Sequence, residues 1–272
     1  MGTLKLRRRR TVLAAGLATL AMAVGLAAAP AQAVDKTKYI ALGDSYAAGQ
    51  GAGPYKNDTC YRSENSYSEL AADTKAIKLV TNAACSGNTT QDVVAAQLLQ
   101  LNKTTQLVTI TAGGNNLGFG DIVTNCGSAD PARAAACARA SATATALLVS
   151  GQLARDVAAM IQSVHAAAPN AKIVVTGYPY LFDPFNLDPT DPMTPFIYQA
   201  TALADRLNES IAAGAAGAQY VDVRTAFAGH GINSESPWIN GATGSPDSFH
   251  PNAKGYWAYY TALRDADVYS AP

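Results

Sequence analysis

The chain has 272 residues, with 20 Lys+Arg against 20 Asp+Glu, 49% hydrophobic residues and only 15% charged ones. It is too apolar and too sparsely charged for a disordered or coiled-coil protein, and long enough to build a core without staples. Five of its 20 basic residues cluster near the N-terminus, and the remainder of the chain is net acidic, a poor electrostatic match for nucleic acid.

Residues 1–33 read as an export signal. Lys5 and Arg7 to Arg10 form a positive segment, residues 11–29 are apolar, and Ala31-Gln32-Ala33 has the small-x-small form of a peptidase site. Arg9-Arg10 also leaves a twin-arginine route open. The signal holds five of the 20 basic residues and no acidic one, so residues 34–272 carry 15 basic against 20 acidic side chains, a net charge of −5. They read as one domain, secreted and not stably inserted in a membrane. The four cysteines, Cys60, Cys85, Cys126 and Cys137, all lie in this part. In an oxidising compartment they predict two disulfides, with three pairings possible. Cys60–Cys85 with Cys126–Cys137 is favoured, because the second pair brackets one short Ala-rich insert.

The first strand is predicted at 39–42, followed by Gly43-Asp44-Ser45-Tyr46-Ala47-Ala48-Gly49. Small residues around one serine at a strand-to-helix turn present a hydroxyl at the top of a sheet; alone, the motif is equally a capped turn. A short helix at 66–73 leads to a second strand at 77–80, and Cys85-Ser86-Gly87 then precedes a helix at 90–101, whose Val93, Val94, Leu98, Leu99 and Leu101 are expected on one face. Gly87 leaves a backbone N–H open to a ligand, although a plain capping loop explains it as well.

The third strand, Leu107–Thr111, is followed by Gly113-Gly114-Asn115-Asn116. Asn115 can aim an uncharged amide donor; the bland alternative is a left-handed turn. One long helix is predicted over 140–167, stopped by Pro169, then a fourth strand at Lys172–Thr176, a proline- and aromatic-rich loop at 179–195, a helix at 195–213 and a fifth strand at 220–223. Tyr178, Tyr180, Leu181, Phe182, Phe185, Phe196 and Trp238 are candidates to border a cleft or simply to pack the loop. The last helix, 252–265, is expected to start at Pro251. Strands alternating with helices imply a parallel sheet covered on both faces, a three-layer α/β/α sandwich with ligands at the carboxyl ends of the strands.

A serine nucleophile needs a base, and the histidines are His165, His230 and His250. His165 lies late in a helix and His230 sits between glycines. His250 stands in Asp247-Ser248-Phe249-His250-Pro251-Asn252, where Asp247 can hold the ring nitrogen facing away from the serine.

Gly43-Asp44-Ser45, Gly87, Gly113-Gly114-Asn115 and Asp247-x-x-His250, in that order, resemble the SGNH (GDSL) hydrolases, closest to their secreted actinobacterial esterase and lipase branch. The resemblance covers almost all of residues 38–272. It implies a five-stranded parallel sheet of flavodoxin-like order, Ser45 as nucleophile, His250 as base oriented by Asp247, and an oxyanion hole from the N–H groups of Ser45 and Gly87 and the Asn115 amide. It also implies the favoured disulfide pairing and a reaction without metal or cofactor. Family members commonly read Gly-Gly-Asn-Asp, so Asn116 departs from the pattern and is expected to support its loop. Some relatives hold the His with a backbone carbonyl instead of an Asp. The expected activity is hydrolysis of small-molecule or lipid esters by a monomer, as a lipase or carboxylesterase with phospholipase activity in reach. A carbohydrate acetyl esterase is the rival enzyme, and a catalytically inactive binding module on the same fold the rival from another class.

Overall fold

The computed structural model describes residues 1–2, 35–126, 130–185 and 187–270. The compact unit runs from Asp35 to Pro272. The expected signal at 1–33 lies, apart from Met1 and Gly2, outside the described residues.

Five strands form the main sheet: β1 (Thr37–Gly43), β2 (Ile77–Asn82), β3 (Leu107–Thr111), β4 (Lys172–Thr176) and β5 (Gln219–Val221). All are parallel, in the order β2-β1-β3-β4-β5. This is the flavodoxin-like order, with its switch point beside β1. Every residue of β3 is buried. Because alternate side chains face opposite ways, the sheet is covered on both faces at its centre, which is why β1, β3 and β4 read as nearly continuous apolar runs, whereas Lys78 and Val80 of the edge strand β2 are exposed.

The helices are α1 (Ser45–Ala48), α2 (Tyr67–Ala72), α3 (Thr90–Asp92), α4 (Phe119–Cys126), α5 (Ala134–Val149), α6 (Gln152–Ala167), α7 (Thr194–Gly214) and α8 (Ala253–Asp265). A two-stranded hairpin, Tyr55–Asn57 with Arg62–Ser63, stands apart from the sheet. Disulfides join Cys60 to Cys85 and Cys126 to Cys137. The first ties the hairpin to the loop after β2; the second ties the end of α4 to α5.

Three sequence expectations are corrected, and one helix is added. The helix expected over 140–167 is two helices bent by 62°, because Gly151 takes φ +69° between them. The helix expected over 90–101 changes pitch: after α3 a π turn spans Val93–Gln97, then a 3-10 turn Leu98–Gln100. The wider turn rotates the residues after it, so Gln97 is buried and Leu99, expected in the core, is 86% exposed. Pro251 precedes α8 without starting it; Asn252 caps that helix, accepting from the N–H groups of Lys254 and Gly255. α4 was not expected, since Gly118 and Gly120 interrupt its pattern.

Candidate active site

Ser45 sits where β1 ends. Gly43, at φ +130°, is obligatory there: a Cβ would lie 2.0 Å from the Thr111 carbonyl oxygen. Asp44 then caps α1, its carboxylate accepting from the Tyr46 N–H at 2.9 Å, and Ser45 is the first helical residue. Its N–H therefore belongs to the turn that has no intrahelical acceptor. The side chain is buried at 6% exposure.

His250 approaches from the loop before α8. Its Nε2 lies 2.9 Å from Ser45 Oγ, and its Nδ1 lies 2.9 Å from the Ser248 carbonyl oxygen. A carbonyl only accepts, so Nδ1 carries the proton and Nε2 turns its lone pair to the serine hydroxyl. The loop is held at Phe249, a non-glycine residue at φ +63°. The Phe249 N–H donates to the Asn240 carbonyl at 2.9 Å, and the Tyr46 hydroxyl donates to the Phe249 carbonyl at 2.6 Å. This unusual backbone conformation persists because both of its polar groups are engaged.

Asp247 was expected on the His250 ring and is elsewhere. Its carboxylate accepts from the Tyr55 hydroxyl at 2.5 Å, while the backbone of Ser248 takes the ring nitrogen. The tight turn explains the exchange: with Phe249 left-handed, the Ser248 carbonyl already points at the ring. Burial pushes His250 down to about 4; the Ser248 hydrogen bond and the Asp247 charge only partly oppose it.

The loop after β2 brings in Gly87, at φ +82°, with open space where a Cβ would lie. The loop after β3 brings in Asn115, whose Nδ2 donates to the Asn88 carbonyl at 2.9 Å. An amide nitrogen has a second N–H to offer. Asn116 holds the two loops together: its Oδ1 accepts from the Thr90 N–H at 3.0 Å, and its Nδ2 donates to Thr90 Oγ1 at 2.9 Å. Ser45, Gly87, Asn115 and His250 line one cavity of about 590 Å³.

Two residues carry the site without having been singled out for it. Gln97, buried by the π turn, accepts from the Gly43 N–H and donates to the Gly43 carbonyl, each at 2.8 Å, and also donates to Asn88 Oδ1 at 2.8 Å. It thus clamps the turn before Ser45 to the Gly87 loop. A polar residue inside the apolar pattern of 93–101 was the available signal. Tyr178, considered only as a cleft aromatic, donates its hydroxyl to the Asp44 carboxylate and accepts from the Gly114 N–H at 3.0 Å. Burial pushes Asp44 up to about 7, against the hydrogen bonds from Tyr178 and the Tyr46 backbone.

A second cavity, of about 370 Å³, opens from Ser45 and Asn115 toward α4 and α7. Its walls are mainly apolar, among them Leu117, Ile122, Leu181, Phe182, Phe196 and Leu203. Tyr178 and Tyr180 also line it, whereas Phe185 and Trp238 do not. Trp238 stacks on His230 with ring centres 3.4 Å apart. His165 lies in the last turn of α6. Among the described residues, no group of three or more His, Cys, Asp or Glu is placed to hold a metal ion.

The chain that carries this arrangement is similar over most of its length to known proteins. The model of the GDSL-like Lipase/Acylhydrolase family matches residues 41–258. A lipase from Streptomyces rimosus is 36% identical over 259 residues, covering 93% of this chain and 95% of the relative. The crystal structure of an extracellular lipase from that organism superposes with a TM-score of 0.77 at 36% identity, over 85% of this chain and 99% of that one. The structure of phospholipase A1 from Streptomyces albidoflavus NA297 also gives 0.77, at 35% identity and the same coverage. The chain belongs to the GDSL-like lipase/acylhydrolase family.

Proposed function

We propose that the chain is a secreted serine hydrolase that cleaves carboxylic esters of fatty acids through an acyl-enzyme on Ser45. The observation that carries this reading is the 2.9 Å contact between His250 Nε2 and Ser45 Oγ at the mouth of an apolar cavity. Ser45 Oγ attacks the ester carbonyl while His250 Nε2 takes its proton. The carbonyl oxygen gains the negative charge and accepts from the N–H groups of Ser45 and Gly87 and from the Asn115 amide. The carbon–oxygen bond to the alcohol breaks, and His250 returns the proton to the leaving oxygen. Water repeats the sequence on the acyl-enzyme and releases the fatty acid. Asp247 acts on the His250 loop through Tyr55 and on the ring through its charge.

The relatives named as lipases and a phospholipase A1 support a lipid ester as substrate. The apolar cavity supports an acyl chain over the acetyl group of a carbohydrate ester. Two disulfides and the signal-like residues 1–33 support export with cleavage after Ala33. N-terminal sequencing of protein recovered from the medium tests that cleavage. The reaction is tested with p-nitrophenyl esters from acetate to palmitate, using purified protein beside Ser45→Ala. Hydrolysis that peaks at a medium or long chain and vanishes in the variant is expected; a variant as fast as the parent sinks the assignment.

A further inference from the structure

Ser45, Gly87 and His250 stand on three separate loops, and the chemistry needs them placed to within about half an ångström of one another. Gln97 braces the turn before Ser45 against the Gly87 loop. A second buried glutamine, Gln50, stands on the other side of the serine, just past the end of α1, at 3% exposure.

The backbone of Gln50 belongs to the serine's own element. Its N–H donates to the Ser45 carbonyl at 3.0 Å, and its carbonyl accepts from the Tyr256 hydroxyl at 2.8 Å. The side chain reaches the other two loops. Oε1 accepts from the hydroxyl of Ser86, the neighbour of Gly87, at 2.6 Å. Nε2 donates at 2.5 Å to the carbonyl of Pro246, in the loop that leads to His250. A carbonyl only accepts, so the amide fits in one orientation. The next residue locks the arrangement. Gly51, at φ +99°, lies so close to the histidine loop that a Cβ would sit 2.8 Å from the His250 Cβ. The Asn240 amide donates to the Gly51 carbonyl at 2.9 Å, while the Asn240 N–H donates to the His250 carbonyl at 2.9 Å. A side chain that merely filled this space would be apolar, because burying an amide costs free energy that its hydrogen bonds roughly recover.

We propose that Gln50 is a positioning residue for the reaction: its side chain couples the Gly87 loop to the His250 loop, so that oxyanion donor and base are set together relative to Ser45. This rests on the serine-hydrolase reading above. Gln50 lines neither cavity, so its influence on the substrate passes through the two loops it joins. It is therefore felt in the chemical step and not in substrate binding.

The test measures hydrolysis of p-nitrophenyl octanoate by the parent, Gln50→Leu, Ser86→Ala and the double variant. Each kcat is expressed per active site, titrated to completion with a p-nitrophenyl alkylphosphonate. The titration counts only sites that still react, so a partly misfolded variant reports as well. Gln50→Leu keeps the bulk and loses both hydrogen bonds; kcat should fall by about 10- to 100-fold with KM within about twofold of the parent. Ser86→Ala removes one arm and should lower kcat by about fivefold, the worth of one hydrogen bond. In the Gln50→Leu background that second loss should vanish, because the arm is already gone. A Gln50→Leu kcat within about twofold of the parent overturns the proposal, and so does a raised KM with kcat kept. A Ser86→Ala loss that persists at full size beside Gln50→Leu overturns the coupling and puts the Ser86 hydroxyl on the substrate. A parent that neither hydrolyses the ester nor takes up the phosphonate marks failure of the serine-hydrolase reading instead.

Discussion

On one side of Ser45 the polar groups hang from the ends of β1, β2 and β3; on the other, the apolar cavity is walled largely by helices. The strand side is pinned at short range: Gly43 fits against Thr111 with no room for a Cβ, and Gln97, at 3% exposure, bonds both polar atoms of the Gly43 backbone. The helical side is looser. α4 has no buried residue at all, and it is held at its end by the bond from Cys126 to Cys137. The chemistry is thus set by a part of the fold that tolerates little change, and substrate size by a part that can accept it.

That division can be broken most directly on the strand side. Asn115→Ala should lose one oxyanion donor and raise the barrier by about 2.7–4 kcal/mol, seen in kcat with the thermal midpoint nearly unchanged. A kcat within a few-fold of the parent would remove Asn115 from the mechanism. Gln97→Leu strikes the frame instead of the reacting atoms. It leaves the buried Gly43 N–H and C=O and the Asn88 side chain without their partner, so urea denaturation should show a loss of about 2–3 kcal/mol. An unchanged midpoint would mean that the clamp is dispensable.

The helical side should respond in specificity and keep its stability. Val123 lies on α4 and lines both cavities. Val123→Trp should narrow the acyl cavity and change the ratio of octanoate to acetate turnover by about tenfold toward acetate, as added bulk in an apolar pocket does. A chain-length profile that does not move would put the acyl chain elsewhere.

These two sides were not equally legible. Ser45, Gly87, Asn115 and His250 each follow a strand or precede a helix, and small residues at such junctions leave a local trace. So do the three central strands β1, β3 and β4, because burial on both faces forces nearly continuous apolar runs. The acyl cavity left none: Leu117, Ile122, Phe182 and Phe196 are ordinary apolar residues until packing brings α4, α7 and the 178–182 segment together. Whether Asp247 or a backbone carbonyl holds the His250 ring stays open in the sequence for a related reason. Asp-x-x-His fits a carboxylate-on-imidazole contact by spacing alone, and only the left-handed Phe249 shows that the chain turns the Ser248 carbonyl there first. Asp247→Asn keeps an acceptor for Tyr55 and removes only the charge, so kcat/KM should fall by less than about tenfold, against the roughly 10⁴ lost when a triad Asp is replaced. A fall near that larger figure would return Asp247 to the ring.

The smallest expected effect is a cancellation. His250 stays neutral in the folded chain down to about 4, whereas unfolded it takes a proton at its ordinary 6.5. Stability from this group therefore falls as pH drops from 6.5 to 4. Asp44 works the other way: folded, it takes its proton at about 7, and unfolded only near 3.8, so the folded state gains stability as pH drops through the same interval. Each contribution is on the order of 3 kcal/mol, and together they leave the urea midpoint nearly flat between those limits. Activity should hold across that plateau and fall only as His250 is protonated near 4. His250→Gln removes one of the two opposing terms, so its urea midpoint should rise as the pH is lowered from 6.5 to 4. A midpoint that falls in the variant, or an activity limb in the parent already complete at pH 6, would show that burial does not depress the histidine as the geometry requires.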